Sequence, residues 1–481
     1  MPGGLMKLVT VGRQDVYLTG LGSEHEIKPE ITFFGLKNKH KRHTHFGIQT
    51  LKHDENVKGV PDFGKKIAVT LSRESDMVHD LFLEIDLPTL PNGYSYKNYL
   101  GYRLIKRIEI EIGGQRIDRL FGSFIHILNF LKGSNIKESK SLFISDNDEI
   151  LRKWSQQGSS NGSVKLMIPI PMFFELPLPL IALTYHEVKI VVVFAELKEL
   201  IINDFDFELD LMNDDVNDIN DMNNVNETEY DMVTEDSVVN INKITTDLRS
   251  SSGGRAQGQE LRNDKLSSDL HINNFALKTD GVYLDKPERK SVIESPHEYL
   301  IHQLQYSGFE IKPEGVTDFK IRLNYNHPIK YFAFTFEKMK PGVKEEKSYG
   351  TILENDYDNF EYGLEELDES FIEMTLLMNG HAVEEAQDPL YFREYHPRKY
   401  LGLENGLPKG MYFYSFALKP MQYQPSGHIN ASKIDNMSLS FKFPKHISNG
   451  ELYPEMKISV YAVNVQPLCI MSGMAGLVFS K

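Results

Sequence analysis

Residues 177–194, read as Pro177-Leu178-Pro179-Leu180-Ile181-Ala182-Leu183-Thr184-Tyr185-His186-Glu187-Val188-Lys189-Ile190-Val191-Val192-Val193-Phe194, constrain the fold more than any other stretch. Pro177 and Pro179 each lack an N–H and fix φ, so a helix cannot run through the opening. The β-branched run that closes the segment predicts a buried strand. Six more short runs carry the same signal: Ile67–Leu71, Leu81–Ile85, Ile108–Ile112, Phe319–Leu323, Tyr331–Phe336 and Ile458–Val463. Several alternate apolar with polar residues, as a sheet with one buried face requires. Helical periodicity is confined to Leu120–Leu131 and His297–Leu304. Many strands joined by Gly- and Pro-containing connections predict an all-β chain of sandwiches or jelly rolls, not a parallel α/β sheet.

A chain of 481 residues exceeds one ordinary domain and predicts about two to four. Cys469 is the single cysteine, so no disulfide forms within the chain and the fold must rest on packing. The apolar runs are too short or too interrupted for a bilayer span, and the N-terminus lacks the basic and apolar regions of a secretory leader. A soluble, unsecreted product is expected. The net charge of −15 is concentrated in one place: residues 203–240 hold thirteen acidic side chains and no Lys or Arg. The remainder is nearly neutral, which argues against sequence-specific nucleic-acid binding.

Two segments share a plan. Ile108–Ile112 runs through Gly113-Gly114 into a helical stretch near 121–130, and Glu373–Met378 runs through Asn379-Gly380 into another near 388–394. Each reads as strand, glycine-containing turn and helix, which predicts two similar domains. Residues 203–270 interrupt this grammar with an Asp/Asn-rich part and a small polar part, and read as a long surface insertion.

No catalytic, cofactor or metal site emerges. His297 and His302 are five residues apart, not the four that place two ligands on one helical face. His43 and His45 would point the same way on a strand, but no third ligand follows from spacing; with Lys37, Lys39, His40, Lys41 and Arg42 they form a basic patch. Asp214, Asp215, Asn217, Asp218 and Asp221 lack the Gly and Glu spacing of a calcium loop. Gly113-Gly114 sits in no phosphate-binding pattern, and Cys469 has no activating neighbours. Sequons begin at Asn161, Asn226, Asn430 and Asn436. The single Trp154 is expected near an inter-strand loop, as a core anchor before an interface anchor.

A chain-wide set of segments resembles the major capsid proteins of nucleocytoplasmic large DNA viruses. The resemblance rests on Gly3–Val9, Gln14–Gly20, Pro29–Phe34, Lys41–Phe46, Phe63–Lys66, Ser72–Leu81, Pro177–Ile190, Ser295–Gln305, Tyr414–Leu418, Gln424–Asn430 with Ile434-Asp435, and Met471–Gly476, in family order. It implies a tandem double jelly roll of two eight-stranded sandwiches: an arm at 1–28, a first jelly roll at 29–312 with the acidic insertion 203–270, a second at 313–470, and a tail at 471–481. It further implies homotrimeric pseudo-hexagonal capsomers tiling an icosahedral shell, assembled in the host cytoplasm. The partners implied are neighbouring capsomers, minor capsid and penton proteins, and an internal viral membrane. Members can carry glycans, and the acidic insertion is expected on the outside of the particle. A carbohydrate-binding β-sandwich protein and a minor capsid component are the competing readings.

Overall fold

The computed structural model describes residues 44–479, apart from 55, 92–93, 135, 159–161, 173–175, 204–269, 340–368 and 448–449, together with a short hairpin at 31–36 of which 33–34 are excepted. The acidic insertion, except its first residue and Leu270, therefore lies outside the described residues, as do the arm and the basic patch up to His43.

Sixteen principal strands form two sandwiches. The first contains β1 (Phe46–Lys52), β2 (Lys66–Thr70), β3 (Met77–Pro88), β4 (Ile105–Ile112), β5 (Gln115–Leu120), β6 (Ser163–Pro169), β7 (Val188–Phe194) and β8 (Asn274–Leu284). The second contains β9 (His297–Lys312), β10 (Asp318–Leu323), β11 (Pro328–Lys338), β12 (Glu373–Met378), β13 (His381–Gln387), β14 (Met411–Ser415), β15 (Met437–Lys442) and β16 (Met456–Met471). In the first sandwich one sheet runs β1-β8-β3-β6 and the other β2-β7-β4-β5. In the second the orders are β9-β16-β11-β14 and β10-β15-β12-β13. Adding eight to each strand of the first sandwich reproduces the second. All the pairings are antiparallel. The chain is a tandem double jelly roll.

Local chemistry explains the elements. β3 buries Leu81, Leu83, Ile85 and Leu87 and turns Asp80, Phe82, Glu84 and Asp86 outward, the alternation of a half-covered sheet. β7 is the Pro-entered run, hydrogen-bonded on both sides by β2 and β4, and is apolar at every position but Lys189, as suits a central strand. The prolines before it lead into a single 3₁₀ turn at Leu180–Ala182. The glycine turns prove to be two-residue hairpins: Gly113 and Gly114 have φ of 59° and 82°, and Asn379 and Gly380 have 49° and 82°. Positive φ at both central positions is the geometry that matches strand twist. Each repeat is thus strand, turn, strand and helix, with β5 or β13 inserted where the sequence suggested none.

Helix α1 (Gly122–Leu131) forms where helical periodicity was expected, and α2 (Asp148–Gln157) is capped by the Asn147 side chain, which accepts from the Glu149 and Ile150 N–H groups. The Lys286–Glu294 helix, α3, links the sandwiches, and α4 (His396–Leu401) follows β13 through a π-helical turn at Tyr391–Tyr395. Two expectations fail together at residues 297–312. His297–Leu304 is not helical but part of β9, and β9 pairs with β16, so it opens the second sandwich instead of closing the first. The tail also joins the sheet, because Met474–Leu477 folds back on β16.

The two cores differ in chemistry although they share a plan. The first is aliphatic, built on Ile67, Val69, Leu83, Ile85, Ile108, Ile110, Ile190 and Val192. The second is aromatic: Phe334 stacks on Tyr412 at 5.4 Å and meets Phe392 and Phe441 at 5.9 and 6.1 Å. One contiguous apolar cluster includes both. Phe334→Ala should cost about 3–5 kcal/mol in denaturant unfolding, because several rings lose a common partner. A loss below about 1 kcal/mol would contradict this view of the second core.

Candidate functional site

The site that organises this molecule is the junction where the two sandwiches meet. It begins with β5, the edge strand after the Gly113-Gly114 turn. Arg116 pairs with Glu111 and Asp118 with Ile110, so Ile117 is an extra residue in a β-bulge. A bulge re-aims side chains at a sheet edge. Beyond it, the Arg119 guanidinium pairs across the strands with the buried Glu109 carboxylate.

The chain then enters α1 at Gly122, where a Cβ would collide with the backbone carbonyls of Tyr102 and Ile105. Phe124, Ile125, Ile127, Leu128 and Leu131 bury both sides of this helix. A helix apolar around most of its circumference must be covered on opposite faces. The first sandwich covers one face and the second covers the other.

Aromatic contacts carry the crossing. Phe121 meets Tyr306 edge-on at 5.1 Å, Phe124 meets Tyr461 at 5.5 Å, and Tyr306 stacks on Tyr461 at 4.5 Å. The Ser123 hydroxyl lies 2.9 Å from the Tyr461 hydroxyl. Polar groups fix the register: the Gln303 amide donates to the Ile117 carbonyl, and the Leu304 N–H donates to Asp118 Oδ1 at 3.3 Å. Gln305 holds β9 in place by donating to the Asn326 carbonyl at 2.6 Å and to Asn464 Oδ1 at 2.9 Å. A second seam joins Tyr185 N–H to the Gly473 carbonyl at 3.0 Å and Ala475 N–H to His186 Nδ1 at 3.2 Å. Between the sandwiches lies a cleft of about 460 Å³ lined by Arg116, Arg119, Tyr306, Asn324 and Phe479 among others.

Burial pushes the Asp118 carboxyl up to about 7, against the opposing pull of the Leu304 and Arg119 N–H groups and the Arg116 charge. These are positioning contacts. Among the described residues no group of three or more His, Cys, Asp or Glu side chains could hold a metal ion, and no helix is long and apolar enough to cross a membrane.

The residues weighed from sequence are scattered. His297 hydrogen-bonds the Val292 carbonyl at 2.7 Å, whereas His302 accepts from Lys330 Nζ at 2.9 Å. His45 is buried just before β1, with Nδ1 3.4 Å from the Asp285 carboxylate. Trp154 sits on α2, in the connection between β5 and β6; half-buried, it packs against the core and meets Phe143 edge-on at 5.6 Å. Asn430 and Asn436 are exposed, and their side chain and N–H respectively bond Ser432 N–H and Asn379 Oδ1. Asn161, Asn226 and the weighed calcium ligands Asp214, Asp215, Asn217, Asp218 and Asp221 lie outside the described residues. Sequence reasoning missed Ile117, Asp118, Gln303 and Gln305. The only signal for them was the broken alternation at Ile117-Asp118.

The comparisons with known proteins agree with this architecture. The family model described as major capsid protein N-terminus matches residues 32–235, and the one described as large eukaryotic DNA virus major capsid protein matches residues 288–476. The major capsid proteins of Pyramimonas orientalis virus and Paramecium bursaria Chlorella virus 1 are each 29% identical to the chain, over all of both sequences. In three dimensions a chain of the Paramecium bursaria Chlorella virus 1 capsid aligns with a TM-score of 0.59 at 24% identity, covering 92% of this chain and 99% of that one. The faustovirus major capsid protein shares the fold, with a TM-score of 0.55 at 11% identity, covering 91% and 92%.

The junction makes a pH prediction. The folded value for Asp118 lies above the ordinary 3.8, so the folded chain keeps a proton that the unfolded chain has lost. Stability from this group is full below about pH 4 and falls as pH rises towards about 7. Asp118→Asn keeps an oxygen acceptor without the buried charge. It should flatten that fall and be more stable than the parent at pH 8 in denaturant titrations. An unchanged pH slope would show that the carboxyl is not held near 7.

Proposed function

The chain belongs to the major capsid protein family of large eukaryotic DNA viruses, and from that premise we propose that it builds its shell as a homotrimer. It is a structural protein of the virion and not an enzyme. In the proposed assembly three chains contribute six sandwiches to a pseudo-hexagonal capsomer, and capsomers tile an icosahedral shell. The observation that supports this reading best is the strand-for-strand equivalence of the two sandwiches. Two nearly equivalent units per chain let a threefold ring present six similar sides, a footprint that fills a surface without gaps. The packed junction favours it too, because a tile must hold its shape.

The same reading assigns neighbouring capsomers, minor capsid proteins and penton proteins as partners, with an internal membrane beneath the shell and assembly in the host cytoplasm. Residues 1–28 serve as an arm. The acidic segment 203–240 adds negative charge to the outer surface and is not required for closure.

Size-exclusion chromatography with light scattering tests the proposal. A trimer of ~165 kDa, three times the 55.2 kDa chain, is the expected result. A monomer that binds sugars saturably would contradict it and favour a carbohydrate-binding sandwich.

A further inference from the structure

We propose that the cleft between the sandwiches binds a small phosphate monoester, with Arg116 and Arg119 on its phosphate and Phe479 beside its organic part. The site lies within one chain and does not depend on how chains assemble.

The two arginines share a wall because of the bulge in β5. Positions three apart on a regular strand point to opposite faces. Ile117 is the extra residue between Arg116 and Arg119, so the effective separation falls to two and both side chains turn the same way. Their guanidinium groups meet at one atom: Arg119 pairs directly with Glu109 Oε1, and Arg116 Nη1 lies 3.8 Å from it. The hairpin itself does not require arginine. Strand β13 has the same bulge at Val383, and counting from its turn, Ala382 and Glu385 stand where Arg116 and Arg119 do.

Charge is unbalanced at this wall. Arg107 Nε is also 3.9 Å from Glu109 Oε1, so three guanidinium groups surround one buried carboxylate, which can balance one of them. Glu111 stands between Arg116 and Lys189 in the sheet and does not line the cleft. The one carboxyl among the described lining residues is Asp118, which burial pushes up to about 7, so it carries little charge below that pH. The Arg116 and Arg119 side chains are 50% and 31% exposed, which leaves both open to a ligand. A phosphate monoester is close to a dianion at neutral pH and so matches an excess of two positive charges. Its oxygens also fit the planar guanidinium fork.

The rest of the cleft narrows the ligand further. A volume of about 460 Å³ suits a small molecule. The amides of Gln303, Gln305 and Gln466 are already engaged with the carbonyls of Ile117, Asn326 and Phe479. Asn324 is exposed on the wall formed by the second sandwich. The Phe479 side chain, 59% exposed beside Leu477, supplies an apolar surface for the organic part.

Calorimetric titration of the full-length chain at low ionic strength tests the site with phenyl phosphate, inorganic phosphate and benzoate. One phenyl phosphate per chain is expected, with a Kd of about 1 mM or tighter for a ligand of this size. Inorganic phosphate and benzoate should each bind more weakly. Arg116→Gln should weaken phenyl phosphate about tenfold or more, because charge-assisted hydrogen bonds are lost. Arg322→Gln, exposed on β10 and outside the cleft, should change nothing. Phe479→Ala should bring phenyl phosphate down to the affinity of inorganic phosphate and leave the latter unaltered. If Arg116→Gln does not fold, Arg116→Lys replaces it; that variant keeps the charge without the fork and should weaken binding in the same direction. Folded wild type that does not bind phenyl phosphate overturns the assignment, as does an Arg116 variant that binds it equally well. Benzoate bound as tightly as phenyl phosphate, or a Phe479→Ala variant with unchanged affinity for phenyl phosphate, overturns it too.

Discussion

Strand β16 is buried at every position from Met456 to Gln466, and that burial on two opposite faces holds the molecule together. One face belongs to the aromatic core of the second sandwich. The other, through Tyr461, is covered by α1 and β5 of the first. A sheet face left open would ordinarily be polar and alternate with the core face. Here Lys457 and Ser459 keep that alternation and find partners within the second sandwich, but Tyr461 on the same face is buried against α1 of the first. Apolar burial supplies the attraction, and the Gln303 and Asp118 contacts choose a single register for it. The buried carboxyl is tolerated because two backbone N–H groups meet it and because it holds a proton well into the neutral range.

The duplicated topology places the same elements in different chemical settings. An aliphatic core and an aromatic core satisfy one strand order, since volume and pattern govern a sandwich more than residue identity does. At the surface the same plan meets different surroundings: Ile117 is buried at the junction, whereas Val383, skipped at the same place after the second hairpin turn, is exposed.

Much of the fold was legible in sequence where periodicity was clean, as in the alternation of Leu81, Leu83 and Ile85 along β3. That alternation is absent from residues 188–194, yet the β-branched run there still marked β7 because nothing else suits such residues. Gly113-Gly114 and Asn379-Gly380 revealed the repeat through their demand for positive φ. What followed them was not legible. Gln115–Leu120 and His381–Gln387 are polar edge strands, and the bulge at Ile117 or Val383 breaks their alternation. His297–Leu304 misled for a related reason. Apolar residues at Leu300, Ile301 and Leu304 fall at helical spacing because β9 is covered on both sides, so its pattern loses the period of two. The junction depends on contacts between residues about 186 positions apart, such as Asp118 with Leu304, and no local pattern encodes that distance.

The junction makes the two sandwiches behave as one rigid body, and hydrogen exchange of the full-length chain measures this directly. Amides of β5 and α1 and the Leu304 N–H should exchange in the same slow class as the centre of β16, because none can open without separating the sandwiches. Exchange at the junction far faster than in either sandwich core would mean that the halves hinge independently, and would contradict a rigid double sandwich.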